Sequence, residues 1–436
     1  MTRTVRTLLF SFFLLFFAVA APALVLYAQG YRINWPIEPG KKLIVKTGAF
    51  YVKTAQKQVN IYVNGKLDKQ TDFIFGSALM ENFLPRNYLV EIKKPGYQAW
   101  AKNLDIREKE VTEARNVFLF PDRLTFTPVE TGASSTIASP DSTKFVLQSS
   151  DDKGWNLKLF DISKGVTSGL AAETDFAPKG AELAGWEWTP DSKTLNLSLK
   201  EDKTDSRWTL AIDKYPARIS KVITAAATST EELVSKDTAT SKFYLGRDGF
   251  IYRKDFNSIT TKISNAQMAI DQNAKYRIWV FGDYYFIAKN AELYFLNPGA
   301  DSFEKILDNL TSEPKLSPDA KKIVYASDSE VWVAMAKGKA DQPATNAGDR
   351  VFIARLSEKI ADCDWFNSDY LIFTAGGTVK TAEIDNRDRI NIIELAKFSN
   401  INNSADPAGA KLVWNPAQKS AYLFLGTSLY KSQPIQ

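Results

Sequence analysis

The chain has 436 residues, with 55 basic and 50 acidic side chains and a formal net charge of +5. It contains no histidine and a single cysteine, Cys363, which excludes histidine-based catalysis, histidine-ligated metals, thiolate clusters and an intrachain disulfide. The basic excess is small and dispersed, so no nucleic-acid partner is expected. Cys363 lies at an apolar strand start between two acids, which predicts a buried core thiol rather than a reactive one.

The first segment of the chain predicts a transmembrane helix. Residues 8–28 carry no charge, and twenty helical residues span about 30 Å, the thickness of a bilayer core. Two arginines precede the segment and three aromatic residues border its end, as expected at membrane interfaces: Arg3 and Arg6, then Tyr27, Tyr31 and Trp35. We therefore expect a cytoplasmic N-terminus at 1–7, a single-pass helix at 8–28 and an extracytoplasmic remainder that begins with a linker at 29–47.

A cleaved signal peptide is the alternative interpretation of the same segment. Ala18-Val19-Ala20 is an acceptable cleavage site after an apolar core. Hydrophobicity resumes at Leu24–Leu26, which favours a retained anchor on length and flanks. Both interpretations predict export of the bulk of the chain.

Residues 48–121 predict a separate small β-sandwich. Asn64-Gly65 is a strong signal for a two-residue hairpin turn. Tyr88–Lys93 alternates between apolar and polar residues, as a half-buried strand does. Pro121-Asp122 breaks the pattern and marks the end of the module, which we expect to hold five or six strands.

This module resembles the PEGA domain family. The resemblance rests on Ile61–Lys66 with its Val-Asn-Gly-Lys hairpin, on Leu84–Ile92, and on Lys94–Trp100 with its Lys-Pro-Gly-Tyr turn. The tetrapeptide that names the family is absent at Ala55–Gln58, and Arg86-Asn87 stands where the family has glycine. The resemblance implies a surface-exposed β-sandwich, often membrane-tethered, and no catalysis.

A turn that recurs about every 49 residues organises residues 122–436. Strand-rich units of this length are typical of β-propeller blades, and hairpins without the turn fill the gap between the second and third copies. We expect an all-β chain in which this part forms a seven-bladed propeller. The copies of the turn are Ser139-Pro140-Asp141, Thr189-Pro190-Asp191, Ser317-Pro318-Asp319, Asn367-Ser368-Asp369 and Asn415-Pro416-Ala417.

The string Ser317–Tyr325 resembles the WD40-like repeat of TolB-type propellers, with weaker copies at Ser139 and Thr189. The resemblance implies a propeller and no catalysis. Three tryptophans share one offset from the repeated turn, which predicts packing between blades rather than ligand contact: Trp188, Trp365 and Trp414.

Two further segments carry predictions. Residues 123–128 have a strand pattern before the first unit, and we expect them to supply the outer strand of the last blade and so remove an exposed edge. Lys337–Asp349 is a long polar insertion in the fifth unit. Its composition suits either a functional loop or an idle solvated one.

The sequence predicts a non-enzymatic, membrane-anchored cell-envelope protein that presents its propeller as a scaffold for a protein or polysaccharide partner. No catalytic, cofactor-binding or metal-binding residue is predicted, and the ligand-binding residues are not identifiable. A cleaved, periplasmic TolB-like trafficking partner is the alternative. A glycoside hydrolase with only carboxylates would need two acids about 5–10 Å apart, and the acids of the repeated turns, Asp141, Asp191 and Asp319, are assigned to those turns.

Overall fold

The computed structural model describes residues 3–35, 40, 42–176, 180–201, 204–213, 216–222, 232–238, 240–296, 302–398 and 410–435. The chain is mostly β, with one N-terminal apolar helix. It divides into two compact units. Unit 1 comprises 1–122, 339–344 and 385–391, and unit 2 comprises the remaining residues.

Unit 1 begins with helix α1, Arg3–Ala28, which includes Pro22. The helix starts five residues before the predicted span, because nothing in residues 3–7 breaks it. It is long and apolar enough to cross a membrane, a test that a signal sequence also passes.

The predicted linker at 29–47 contains a two-stranded hairpin. Strands β1, Tyr31–Ile33, and β2, Ile44–Lys46, pair antiparallel with Ile33 opposite Ile44. Each strand has three residues, too few for an alternating pattern to be visible in the sequence.

A sandwich of seven strands follows, one more than the upper expectation. The sheets have the orders β6-β3-β9, with β3 and β9 parallel, and β5-β4-β7-β8. Asn64 and Gly65 both have positive φ, as a type I′ hairpin turn requires. Both sheets contribute to one core that includes Phe50 and Ile61. The strands are β3 Gly48–Thr54, β4 Asn60–Val63, β5 Lys66–Gln70, β6 Ser77–Phe83, β7 Asn87–Lys93, β8 Trp100–Asp105 and β9 Val111–Val117.

Unit 2 contains 28 strands and one short 3-10 helix, Glu173–Asp175, among its described residues. In chain order the strands are β10 Phe126–Thr131, β11 Ser135–Ala138, β12 Lys144–Asp151, β13 Gly154–Asp161, β14 Val166–Ala172, β15 Glu182–Trp188, β16 Thr194–Glu201, β17 Thr204–Ala211, β18 Arg218–Lys221, β19 Glu232–Asp237, β20 Ser241–Gly246, β21 Ile251–Asp255, β22 Thr260–Lys262, β23 Tyr276–Phe281, β24 Tyr284–Lys289, β25 Glu292–Leu296, β26 Glu304–Leu307, β27 Leu310–Leu316, β28 Lys322–Ser327, β29 Glu330–Met335, β30 Arg350–Arg355, β31 Ile360–Asn367, β32 Tyr370–Ala375, β33 Thr378–Glu383, β34 Ile392–Lys397, β35 Lys411–Asn415, β36 Ser420–Leu425 and β37 Ser428–Ser432.

Within the described residues these strands form seven four-stranded antiparallel sheets that resemble propeller blades. Six contain consecutive strands, from β11–β14 to β31–β34, and are called repeat sheets 1 to 6. Repeat sheet 7 has the order β10-β37-β36-β35. Apolar cores are shared by repeat sheets 1 and 2, by 3 and 4, and by 4 and 5. Phe145 of sheet 1 packs in one core with Tyr422 of sheet 7.

The strand predicted to complete the last sheet pairs with the last hairpin, as expected, although its bounds differ. Strand β10 pairs with β37, with Phe126 opposite Ser432, and lies at the edge of repeat sheet 7. Residues 123–125 precede the strand because the Leu124 N–H donates instead to the Leu395 carbonyl.

The repeated turns are structural, as the sequence indicated. Ser139, Thr189 and Ser317 each donate a hydroxyl hydrogen bond of 2.6 Å to the turn aspartate two residues on. The three repeat tryptophans are buried, and Trp365 donates its indole N–H to the Lys315 carbonyl of the preceding sheet. Cys363 is also buried, as predicted.

Candidate functional site

The first strands of repeat sheets 2 to 6 carry charged side chains that pair with the first strand of a neighbouring sheet. Three such pairs are present among the described residues, and each joins consecutive sheets. They are Glu187 with Lys236 at 3.7 Å, Arg277 with Glu313 at 3.0 Å, and Lys315 with Asp362 at 3.1 Å.

Asp362 on β31 is the centre of the most buried of these contacts, with 5% of its surface exposed. One carboxylate oxygen accepts hydrogen bonds from Lys315 and from the Ser312 hydroxyl, both on β27. The other oxygen accepts the Leu412 N–H of β35 at 3.0 Å. One carboxylate therefore links the first strands of repeat sheets 5, 6 and 7.

The electrostatics of this cluster separate its acids. Burial raises the pKa of Asp362, but the attraction of Lys315 and Lys411 outweighs it and the net pKa is lowered. Asp364, two residues further on the same strand, has a raised pKa because burial and the neighbouring Asp362 outweigh the attraction of Lys315. Burial lowers the pKa of Lys315, yet the carboxylates of Asp362 and Asp364 outweigh it and the net pKa is raised.

Two acids with separated pKa values are a feature that carboxylate-only hydrolysis would use. Here the donors around Asp362 are protein groups from two neighbouring strands, β27 and β35. A small cavity lined by Ala361, which precedes Asp362, and by Thr374 and Gly376 has a volume of about 10 Å³. That volume holds one water molecule and no sugar ring. The cluster is therefore suited to holding sheets together rather than to binding a substrate.

A larger cleft lies between repeat sheets 3 and 4. It has a volume of about 710 Å³, within the range of ligand-binding sites. Arg277 lines it and is held by Glu313, while the Asn290 amide oxygen accepts the Lys275 N–H at 2.9 Å. Tyr276 adds a phenol to the wall, whose hydroxyl accepts the Asp271 N–H.

This cleft presents ammonium, guanidinium, amide and phenol groups, a set that suits acidic or hydroxyl-rich ligands. Sequence reasoning had placed only strands here. The run Lys275-Tyr276-Arg277 at the start of β23 places two cations and a phenol together, and this is the sequence signal for the site. The cleft itself depends on the separation of two sheets.

Unit 1 contains a polar site of its own. The fully buried Lys102 donates its ammonium hydrogens to the carbonyls of Asp385, Arg387 and Arg389, at 2.7, 2.9 and 2.7 Å. Three carbonyls around one ammonium satisfy its three donors. The cation is thus an internal support for residues 385–391.

The long insertion at Lys337–Asp349 also contributes to unit 1. Gln342 donates its amide N–H to the Val111 carbonyl and accepts the Glu113 N–H, both at 3.1 Å. Residues 339–344 therefore have a structural role, which neither of the two expectations for this loop included.

No group of three or more potential metal-ligating side chains occurs in the part of the chain that the structure describes. The aspartates of the repeated turns accept hydrogen bonds from hydroxyl groups of their own turns. They are Asp141, Asp191 and Asp319. The structure therefore does not bring them together in a site.

Neither a protein-family model nor a curated protein matches the chain. Solved structures do match, at low similarity. YCF48 from Cyanidioschyzon merolae is 11% identical with a TM-score of 0.41, over 71% of this chain and 98% of that one. The RRP9 WD40 repeats are 8% identical with a TM-score of 0.41, over 73% and 100%.

An oligogalacturonate lyase in complex with manganese is 13% identical with a TM-score of 0.41, over 72% of this chain and 96% of that one. Similarities at this level carry no argument about activity or ligand. The assignment of the fold rests on the order of strands in the sheets.

Proposed function

We propose that this chain is a non-enzymatic, membrane-anchored scaffold of the cell envelope. In this proposal α1 spans the membrane with its N-terminus inside, the small sandwich is PEGA-like, and the seven repeat sheets form a closed TolB-like propeller that binds a protein or polysaccharide outside the cytoplasm. The observation that carries the proposal is that charged side chains on the first strands of neighbouring sheets pair with each other. Their charges therefore serve to join the sheets.

The end of α1 makes specific contacts with the residues that follow it. The Arg32 guanidinium lies 3.5 Å from the Tyr27 ring centroid and donates to the Tyr27 carbonyl at 2.7 Å. The Thr47 N–H donates to the Gly30 carbonyl at 2.8 Å. These contacts join the end of α1 to the rest of unit 1, through residues that are present with or without cleavage after Ala20.

The edge strand β10 supports a closed ring. It completes repeat sheet 7 with a strand from before repeat sheet 1, and the two sheets share an apolar core. Closure of this kind removes an edge that would otherwise pair with other chains. The cleft lined by Lys275, Tyr276 and Arg277 is the surface that we assign to the partner, which would carry carboxylates or hydroxyls.

Crosslinking in intact cells tests the assignment. A photoreactive phenylalanine analogue at Tyr276 should form a discrete adduct with an envelope protein or polysaccharide. The same analogue at Phe256, an exposed aromatic residue of unit 2, should not. Equal adducts at both positions, or none at Tyr276, would contradict the proposed surface.

Two further measurements separate the alternatives. Intact mass of the mature protein should include residues 1–20, whereas cleavage after Ala20 would favour a soluble periplasmic protein. Incubation with acidic and neutral polysaccharides should release no shortened products. Release that is abolished by Asp364→Asn would instead identify a carboxylate hydrolase.

A further inference from the structure

The hairpin that follows α1 carries an apolar face that the described residues of unit 1 leave exposed. Ile33 and Ile44 are opposite each other in the β1–β2 pair and are 62% and 51% exposed. Directly opposed residues lie on one face of a sheet. Trp35, two positions after Ile33, extends this exposed apolar surface, and Ile33, Trp35 and Ile44 are called the hairpin face.

The other side of the same hairpin is fixed to unit 1. Val45, one position along β2, is buried, as alternation along a strand requires. Arg32 donates to the Asn82 side-chain oxygen at 2.8 Å, and Arg86 donates to the Trp35 carbonyl at 3.1 Å. The hairpin face is therefore held outward.

We propose that the hairpin face lies in the interfacial region of the bilayer that α1 spans, so that the protein is held by a helix and by a surface-bound hairpin. This inference rests on the membrane anchor of the proposed function. Its argument is continuity, because only two residues separate Ala28 at the end of α1 from Tyr31 at the start of β1. Contacts between Thr47 and Gly30 keep the hairpin beside the helix end.

The chemistry around the face fits a lipid surface. Lys46 lies 5.2 Å from the Tyr31 ring centroid, on the same side of the hairpin as Ile33 and Ile44. Tyrosine, tryptophan and lysine beside aliphatic side chains are the composition of interfacial segments. The lysine would favour anionic lipids.

A matched apolar site is available elsewhere in unit 1. Phe75 is 70% exposed in the turn before β6. That turn lies beside Lys53, since Lys53 pairs with Ser77, whereas the helix end lies near Gly48 at the opposite end of β3. Five residues of strand separate the two ends by roughly 17 Å. Phe75 therefore has comparable exposure and polarity but no link to the helix.

The full-length chain in vesicles of phosphatidylcholine and phosphatidylglycerol tests the proposal. In a Cys363→Ala background, an environment-sensitive fluorophore is attached at Ile44→Cys or at Phe75→Cys. At Ile44 we expect blue-shifted emission, quenching by shallow spin-labelled lipids and a several-fold loss of iodide quenching. At Phe75 we expect emission and iodide quenching as in water.

The outcomes separate this inference from the proposed function. If the protein resists carbonate extraction but the Ile44 label stays water-exposed, the hairpin inference is wrong and the anchor stands. If the protein does not remain with the vesicles, both are wrong. Lipid contact at both labels would show that insertion is not restricted to the hairpin face. Loss of the lipid contact of Trp35 in a chain with Ile33→Ser and Ile44→Ser would support the restriction.

Discussion

Repeat sheets 3 and 6 have the same strand order but very different burial. Every residue of β32 and β33 in sheet 6 is buried, including Lys380 and Glu383. In sheet 3, the corresponding strands β20 and β21 have three buried residues and one. A strand buried at successive positions is covered on both faces. Equivalent repeats therefore differ in local stability, and sheet 3 should open before sheet 6.

The largest difference is expected from truncation of an aromatic side chain in the second strand of each sheet. Phe373→Ala in sheet 6 removes a fully buried ring and should lower the free energy of unfolding by about 3–5 kcal/mol. Phe243→Ala in sheet 3 removes a partly buried ring and should cost clearly less. Urea unfolding of the full chain in detergent measures both, and equal losses would refute the difference between the sheets.

Removal of the carboxylate that joins sheets 5, 6 and 7 should have the next largest effect. Asp362→Ala leaves Lys315 without its partner and the Leu412 N–H without its acceptor. Loss of one member of a buried pair typically costs about 3 kcal/mol or more. Asp362→Asn, which keeps an acceptor, is the control and should recover part of the loss.

The raised pKa of Asp364 predicts a pH dependence in the same sheet. The folded state holds this proton above the ordinary pKa of 3.8, so stability falls as pH rises from there to the folded pKa, by at most about 1.4 kcal/mol per pH unit. The Asp364→Asn variant has no proton to lose at this position. Over that pH window, its free energy of unfolding should therefore increase relative to that of the wild type. Parallel pH profiles would show that Asp364 is not perturbed.

The smallest effect is expected at the corresponding contact of sheet 3. Lys236 and Glu187 are 3.7 Å apart and both substantially exposed, and exposed pairs contribute about 0–1 kcal/mol. Lys236→Ala should therefore change the free energy of unfolding by less than about 1 kcal/mol. At high salt, which screens exposed charges, this difference should disappear. If Lys236→Ala lowered the free energy of unfolding as much as Asp362→Ala, the exposure of a charged pair would not determine its contribution to stability.

The sequence allowed prediction of features that repeat and missed those that depend on one local surface. The turns at Ser139, Thr189 and Ser317 were visible because serine or threonine, proline and aspartate recur at a fixed period. The edge strand β10 was predictable because the last unit lacked a strand. The β1–β2 hairpin was missed because three-residue strands show no period.

The candidate sites were largely beyond sequence reasoning. Lys315 and Asp362 are 47 residues apart, close to one repeat, so opposite charges at the repeat spacing are a signal that could have been sought. The cleft beside Tyr276 and the carbonyls around Lys102 depend on how distant backbone segments pack, and residue identity alone carries no trace of that.

The pairing of β10 with β37 also constrains how the molecule matures. Thr125 and its hydrogen-bond partner Gln433 are separated by 308 residues. During synthesis, β10 forms early and has no pairing partner until the final hairpin is made. Until then its backbone groups are an exposed strand edge, and a product of premature termination would keep that edge exposed.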